Sequence, residues 1–369
     1  MKTKYVLFLM AFIGSLGGAM VRVETAAGAY KISESFLLLT LFSASFMLGR
    51  ATAAVWSGKV FDRKYVMAYR IMIISFILLG ILALGYLFVS VEIYLVLRLL
   101  FGILSGLSWP VLQSILLSIV HDTTRGRDMS LYFIFGSLGM STAYFLFGFS
   151  TMLISVMVGM FLYILTGIMG LVLPRRGVAK KRKNKTPQRG GGIKIEFVII
   201  AMELGFVSAI LATDTITGLL LLKGFSRIQI SLILSVATYI SIPISLAASY
   251  GLATISDKFG EKIILAGLTL LMVFSVIVFI YTSGATSIMI SIILLRIFAR
   301  SFRPILLGLA KSTMSLGSNI GAMNASHNIF TTALSPIVGV LIEAQLPIGI
   351  AVLTLGVALL SMIHIRKLS

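Results

Sequence analysis

Residues 71–91 read IMIISFILLGILALGYLFVSV, twenty-one positions without a charge. An α-helix rises about 1.5 Å per residue, so about 20 such residues cross a hydrocarbon core of about 30 Å. The stretches 151–173, TMLISVMVGMFLYILTGIMGLVL, and 263–281, IILAGLTLLMVFSVIVFIY, meet the same length and are also uncharged. The rest of the chain is built alike: 58% of the 369 residues are hydrophobic, 12% are charged and mean hydropathy is +1.06. A soluble domain needs more charge to cover its surface. A membrane barrel would show about ten-residue segments of alternating polarity, which are missing. The fold class expected is an all-α membrane protein.

Working outward from these segments, hydropathy and turn residues predict spans at 5–27, 34–56, 70–89, 92–119, 129–149 and 151–173. A second six follow at 196–220, 227–250, 263–281, 287–310, 322–342 and 347–364. The amino-terminal MKTKYVLFLMAFIGSLGGAM has the make-up of a signal peptide, but the many later spans favour an uncleaved first helix. The longest connection, 174–194, is basic and carries TPQRGGG, a flexible linker. It divides the chain into a first bundle, 1–173, and a second, 195–369.

The formal net charge of +19 does not point to nucleic acid, because the bases punctuate the ends of apolar runs. With both termini inside, cytoplasmic segments hold 22 of the 31 Lys and Arg residues, and the outer loops only Lys31, Lys223 and Arg227. That bias sets the orientation. The expected location is the plasma membrane. Cysteine is absent, which removes disulfides, thiolate metal sites and a Cys nucleophile.

The two halves echo one another. GKVFDRK after span 2 carries Gly58, Asp62 and Arg63; ATISDKFGEK after span 8 carries Asp257, Lys258, Gly260 and Lys262. The aspartates are 195 residues apart, and Arg98 of span 4 stands 198 residues before Arg296 of span 10. Parallel six-plus-six repeats are a transporter architecture.

These residues resemble the major facilitator superfamily, whose loop between helices 2 and 3 reads like G-x-x-x-D-[RK]-x-G-[RK]-[RK]. Gly58, Asp62 and Arg63 match it, with Tyr65 and Val66 departing; the second copy has Ala253 for the first glycine and keeps Asp257, Lys258, Gly260 and Lys262. Arg98, Gly102 and Gly106 are similar to the family's R-x-x-x-G-x-x-x-G element, the two glycines serving close helix packing. The family's helix-5 antiporter pattern is not met, since no proline follows Gly136 or Gly139. The resemblance implies twelve helices in two pseudo-symmetric six-helix bundles, working by alternating access. An Asp beside a base at a helix end can pair across a junction, so Asp62 and Asp257 are expected at a cytoplasmic gate; a solvated turn is the alternative.

Ionisable groups within a bilayer usually face a partner or a wet cavity. Span 1 has Arg22 and Glu24, span 4 Arg98, span 7 Glu203 and Asp214, and span 10 Arg296, Arg300 and Arg303, while spans 3, 6, 9 and 12 have none at depth. The resemblance implies the same division, with helices 1, 4, 7 and 10 around the cavity. Arg300 follows Arg296 by four residues and shares its face. Arg50 and Arg303 lie near enough to the inner boundary to snorkel. The expected pathway residues are Arg22, Glu24, Arg98, Glu203, Asp214, Arg296 and Arg300, with Asn324, His327 and Asn328 from a polar stripe on span 11. Glu203 or Asp214 is expected to exchange a proton or to pair alternately with Arg296 or Arg300.

GLAKST around Lys311 resembles part of a phosphate loop, but Ala310 replaces the needed glycine. No catalytic site, metal site or cofactor is expected. The reading is a monomeric, gradient-driven carrier of a small solute, anionic or zwitterionic because six in-membrane arginines outnumber three deep acids, coupled to a proton. Efflux of amphipathic compounds by proton antiport is the alternative; a polytopic enzyme and a receptor without transport are the remoter ones.

Overall fold

The computed structural model describes residues 2–88, 90, 93–120, 125–173, 195–309 and 316–367. In these residues every regular element is a helix. The first half comprises α1 (Lys2–Ser33), α2 (Phe36–Arg63), α3 (Tyr65–Leu84), α4 (Tyr94–Ile119), α5 (Arg125–Phe147) and α6 (Met152–Gly170), with a short 3-10 turn, Gly85–Leu87, after α3. The second comprises α7 (Ile195–Ile210), α8 (Thr213–Leu222), α9 (Arg227–Phe259), α10 (Glu261–Tyr281), α11 (Ala285–Leu309), α12 (Leu316–Glu343) and α13 (Pro347–Lys367). Ten are long and apolar enough to cross a membrane. Taken as one span, the pair α7 and α8, bent by 44°, brings the count to eleven, and the shorter apolar helix Leu131–Phe147 of α5, counted with them, to twelve.

Packing repeats between the halves. In the first, α1 packs on α5 and α6, α2 on α4, and α3 on α4 and α6. In the second, α7 packs on α12 and α13, α9 on α11, and α10 on α11 and α13. Each pairing is the other moved on by six spans. One apolar core is built around Phe61, Tyr69, Phe76 and Phe101 and another around Ile233, Leu268, Phe279 and Leu295. The halves meet along α2 against α12 and α5 against α9, again a symmetric pair. Helices α3, α6, α10 and α13 turn large apolar side chains outward, among them Ile74, Ile81, Phe161, Phe274 and Val352. Such a belt requires lipid around it.

Element boundaries differ from the expectation in span 7 and at the ends of α1, α2 and α9. Span 7 is broken at Leu211–Ala212, because Thr213, Asp214 and Thr215 place three polar side chains in succession where the apolar run should continue. Gly58, Asp62 and Arg63 lie in the last turns of α2, not in a loop, since nothing between Ser57 and Arg63 stops the helix; Asp257 and Lys258 likewise lie within α9. The helix breaks themselves fall one residue apart in the repeat. In the second half the break is Gly260, at φ 85° and ψ 144°, a conformation essentially restricted to glycine. In the first it is Lys64, at φ −139°, which any residue can adopt. Tyr65 can therefore stand where the motif has glycine.

Candidate functional site

With twelve spans alternating in direction, the start of α1 and the end of α13 fall at one end of the molecule, where Lys4 pairs with Asp128 at the start of α5 and Lys262 reaches the Arg366 carbonyl. Among the described residues the opposite, distal end holds three junctions between the halves that are built on a charged side chain.

The deepest joins α4 to α8. Arg98 has no exposed surface. Its Nη2 donates to Asp214 Oδ1 at 2.5 Å, to Thr25 Oγ1 at 2.9 Å and to the Arg22 carbonyl at 3.1 Å. Ser43 of α2 donates to the other Asp214 oxygen at 3.2 Å. Asp214 stands in the first turn of α8, where the free N–H groups of a helix start favour a negative charge. The break in span 7 thus positions the acid. Arg22 donates from Nε to the Gly18 carbonyl one turn back in α1, and its guanidinium lies 5.3 Å from the Phe46 ring.

Nearer the distal surface, Arg227 at the start of α9 grips Glu24 of α1 with both terminal nitrogens, at 2.9 and 2.5 Å. It also donates to the carbonyls of Phe147 and Ser150 and lies 4.2 Å over the Phe147 ring. Glu343, at the end of α12, accepts from the Leu37 backbone at 2.8 Å and faces the Ser35 hydroxyl, so an acid of one half caps a helix of the other.

The remaining arginines sit where α5, α9 and α11 meet. Arg296 donates to Thr238 Oγ1 and to the Leu234 carbonyl, with its guanidinium 5.8 Å from the Tyr144 ring. Arg300 donates to Ser241 of α9 at 3.1 Å and to Ser137 of α5 at 3.0 Å. Among the described residues no carboxylate pairs with either. The Tyr144 hydroxyl is 3.1 Å from Thr213 Oγ1. Tyr144 therefore connects the double-arginine cluster to the residue beside Asp214.

Other expected site residues are dispersed. Glu203 turns to the back of the second half, where Thr269 of α10 donates to it at 2.8 Å, and lies apart from Arg296 and Arg300. Asn324 approaches Gln113 of α4 at 3.5 Å. Asn328 is buried with no partner for its side-chain nitrogen, and His327 is half-buried. A Cβ on Gly102 would collide with the Phe46 carbonyl, and one on Gly106 would come within 2.6 Å of the Arg50 carbonyl. Asp62 is half-buried and Arg63 exposed at the end of α2. The side chains of Asp257, Lys258 and Arg303, the linker 174–194 and Lys311 lie outside the described residues.

Arg227 and Tyr144 were not singled out from the sequence. Arg227 had a signal: it is one of three bases on the side that the charge bias leaves nearly empty.

A twelve-span bundle of two repeated halves, with charged junctions between them, defines a membrane transporter. Residues 6–252 match the Major Facilitator Superfamily, and the chain belongs to it, as a multi-pass membrane protein. No curated protein matches the sequence. Among solved structures, the human organic anion transporter MFSD10 (TETRAN) is similar at TM-score 0.75 and 12% identity, covering 98% of both chains. The nucleoside transporter NupG is similar at TM-score 0.73 and 16% identity over 99% of both chains. A D-xylose–proton symporter is similar at TM-score 0.73 and 17% identity over 97% of both. At these identities the likeness is one of fold.

Proposed function

We propose that the protein is a monomeric, proton-coupled carrier of a small anionic or zwitterionic solute in the plasma membrane, with both termini cytoplasmic. Its halves, 1–173 and 195–369, rock about the linker 174–194 to give alternating access. The observation that carries the substrate class is the Arg296–Arg300 cluster. Two guanidiniums four residues apart on α11 are held by hydroxyls and carbonyls, with no described carboxylate to neutralise them. Uncompensated charge in a bilayer is costly, and a bidentate acceptor such as a carboxylate or phosphate is the ligand that suits it.

Asp214 is the acid best placed for coupling. Its partner, Arg98, belongs to the other half, so parting the halves strips the carboxylate of its counter-charge. A carboxylate left in low dielectric takes up a proton readily. Glu203, bonded by Thr269 on the far side of its own bundle, is a bracing residue in this reading. Asp62 and Asp257 serve the cytoplasmic closure.

The test is counterflow in proteoliposomes with labelled carboxylates, organic phosphates, sugars and nucleosides. Only the anionic or zwitterionic solutes should exchange, and R296Q/R300Q should lower that exchange by about tenfold or more, the scale of a lost charge-assisted contact. Exchange of neutral solutes alone, or a wild-type rate in the double variant, overturns the substrate class. For coupling, D214N should abolish accumulation driven by a pH gradient while counterflow persists; accumulation with unchanged pH dependence removes Asp214 from that role.

A further inference from the structure

Where α2 gives way to α3, a surface groove of about 500 Å³ runs along the first three turns of α3, lined by Lys64 and Arg70 and by Met67, Ile71 and Ile74. Its two ends differ chemically. Lys64 and Ile74 are ten residues apart, about 15 Å along the helix, so a base opens the groove and an isoleucine closes it. Arg70 stands between them beside Ile71, and its long side chain leans back toward the helix start and Lys64. Both bases are exposed, and no described carboxylate pairs with either. Lys59, Arg63, Lys64 and Arg70 against the single acid Asp62 leave this turn at +3.

The apolar end continues outward. Ile74, Leu78 and Ile81 are all exposed on the lipid-facing side of α3. A groove with charge at one end and hydrocarbon at the other is complementary to a lipid whose headgroup is negative.

We propose that the α2–α3 turn is a binding site for an anionic phospholipid, with Lys64 and Arg70 holding the headgroup phosphate and an acyl chain lying along Met67, Ile71 and Ile74. The site is separate from the Arg296–Arg300 cluster, and it stands whether or not that cluster binds the solute.

Native mass spectrometry of the full chain in detergent micelles, titrated with phosphatidylglycerol or phosphatidylcholine, tests it. Wild type should bind phosphatidylglycerol in preference. K64Q/R70Q should weaken that binding by more than about tenfold, since each base near an anionic headgroup contributes about fivefold. K31Q/R366Q removes the same charge from exposed positions elsewhere and should leave the affinity within about twofold. Glycerol 3-phosphate, the headgroup chemistry without a chain, should not bind detectably. Unchanged affinity in K64Q/R70Q, an equal loss in K31Q/R366Q, or glycerol 3-phosphate binding as tightly as the lipid would each overturn the proposal.

Discussion

At the scale of single residues the Arg98–Asp214 pair has the sharpest consequence. Arg98 is wholly buried, and its Nε and Nη1 have no partner, so Asp214 carries the neutralisation. Removing one member of such a pair leaves a buried charge uncompensated, a loss of about 3–5 kcal/mol. Asp214→Asn should therefore lower the thermal melting point in detergent more than the double variant R98M/D214L, which removes both charges and keeps apolar volume. Equal or larger destabilisation in the double variant would mean that the site is held by packing. The sequence located both residues and could not pair them. Arg98 and Asp214 are 116 positions apart, and each had several opposite charges at similar depth. Asp214 could be matched with Arg296 or Arg300 as readily as with Arg98. What decides is the break at Leu211–Ala212, which rotates α8 toward α4; no glycine or proline marks it in the sequence. Arg227 was hidden for another reason: a base at a span end reads as topology, and its role depends on α1 and α5 lying beside it.

At the scale of elements, the α2–α4 contact depends on backbone approaching backbone. A Cβ on Gly102 would strike the Phe46 carbonyl, and one on Gly49 would strike that of Leu99 from the other side. Both obstacles are main chain and cannot rotate away. Gly102→Ala should therefore cost about 1–3 kcal/mol, the range for overpacking a filled core. At Gly356, on the lipid side of α13, nothing lies within 4 Å of the added carbon. Gly356→Ala should be neutral or gain up to about 1 kcal/mol from helix propensity. Thermal melting of the two variants under one condition checks both, and similar shifts would refute the close-contact account. Gly260→Ala should also cost about 1–3 kcal/mol, through backbone strain alone, because space is open there. Elements were the most legible scale. Length and lack of charge determine a membrane helix locally, so the twelve segments could be read without knowing their neighbours. Helix ends were less legible, since α1, α2 and α9 continue well past the apolar segment and hydropathy registers only the part inside lipid.

At the scale of the whole molecule, the proposed alternating access makes the distal junctions between the halves the contacts that would have to open for a solute to enter from that side. Arg227 is the best-built of these. Both of its terminal nitrogens donate to Glu24, and it also reaches the carbonyls of Phe147 at the end of α5 and of Ser150 in the turn beyond, so one side chain of α9 holds both α1 and the end of α5. Glu343 adds a second tie between α12 and the start of α2. If these ties keep the distal end shut, loosening them should shift the conformational balance toward the open state. The shift is bounded by the free energy with which the ties favour the closed state over the open one. The natural chain contains no cysteine, so a single reporter needs no background removal. Leu39 of α2 is fully buried, and its side chain packs against Gly218 of α8 across the interface. In L39C, a membrane-impermeant maleimide added from the distal side should react slowly. Adding Arg227→Gln should raise that rate by about fivefold or more, the effect of about 1 kcal/mol on an opening equilibrium, and Glu343→Gln should raise it further. Should Arg227→Gln instead leave the rate unchanged while R98M/D214L raises it, closure would reside in the buried pair alone. The surface grip would then be a brace within the closed state and not its latch.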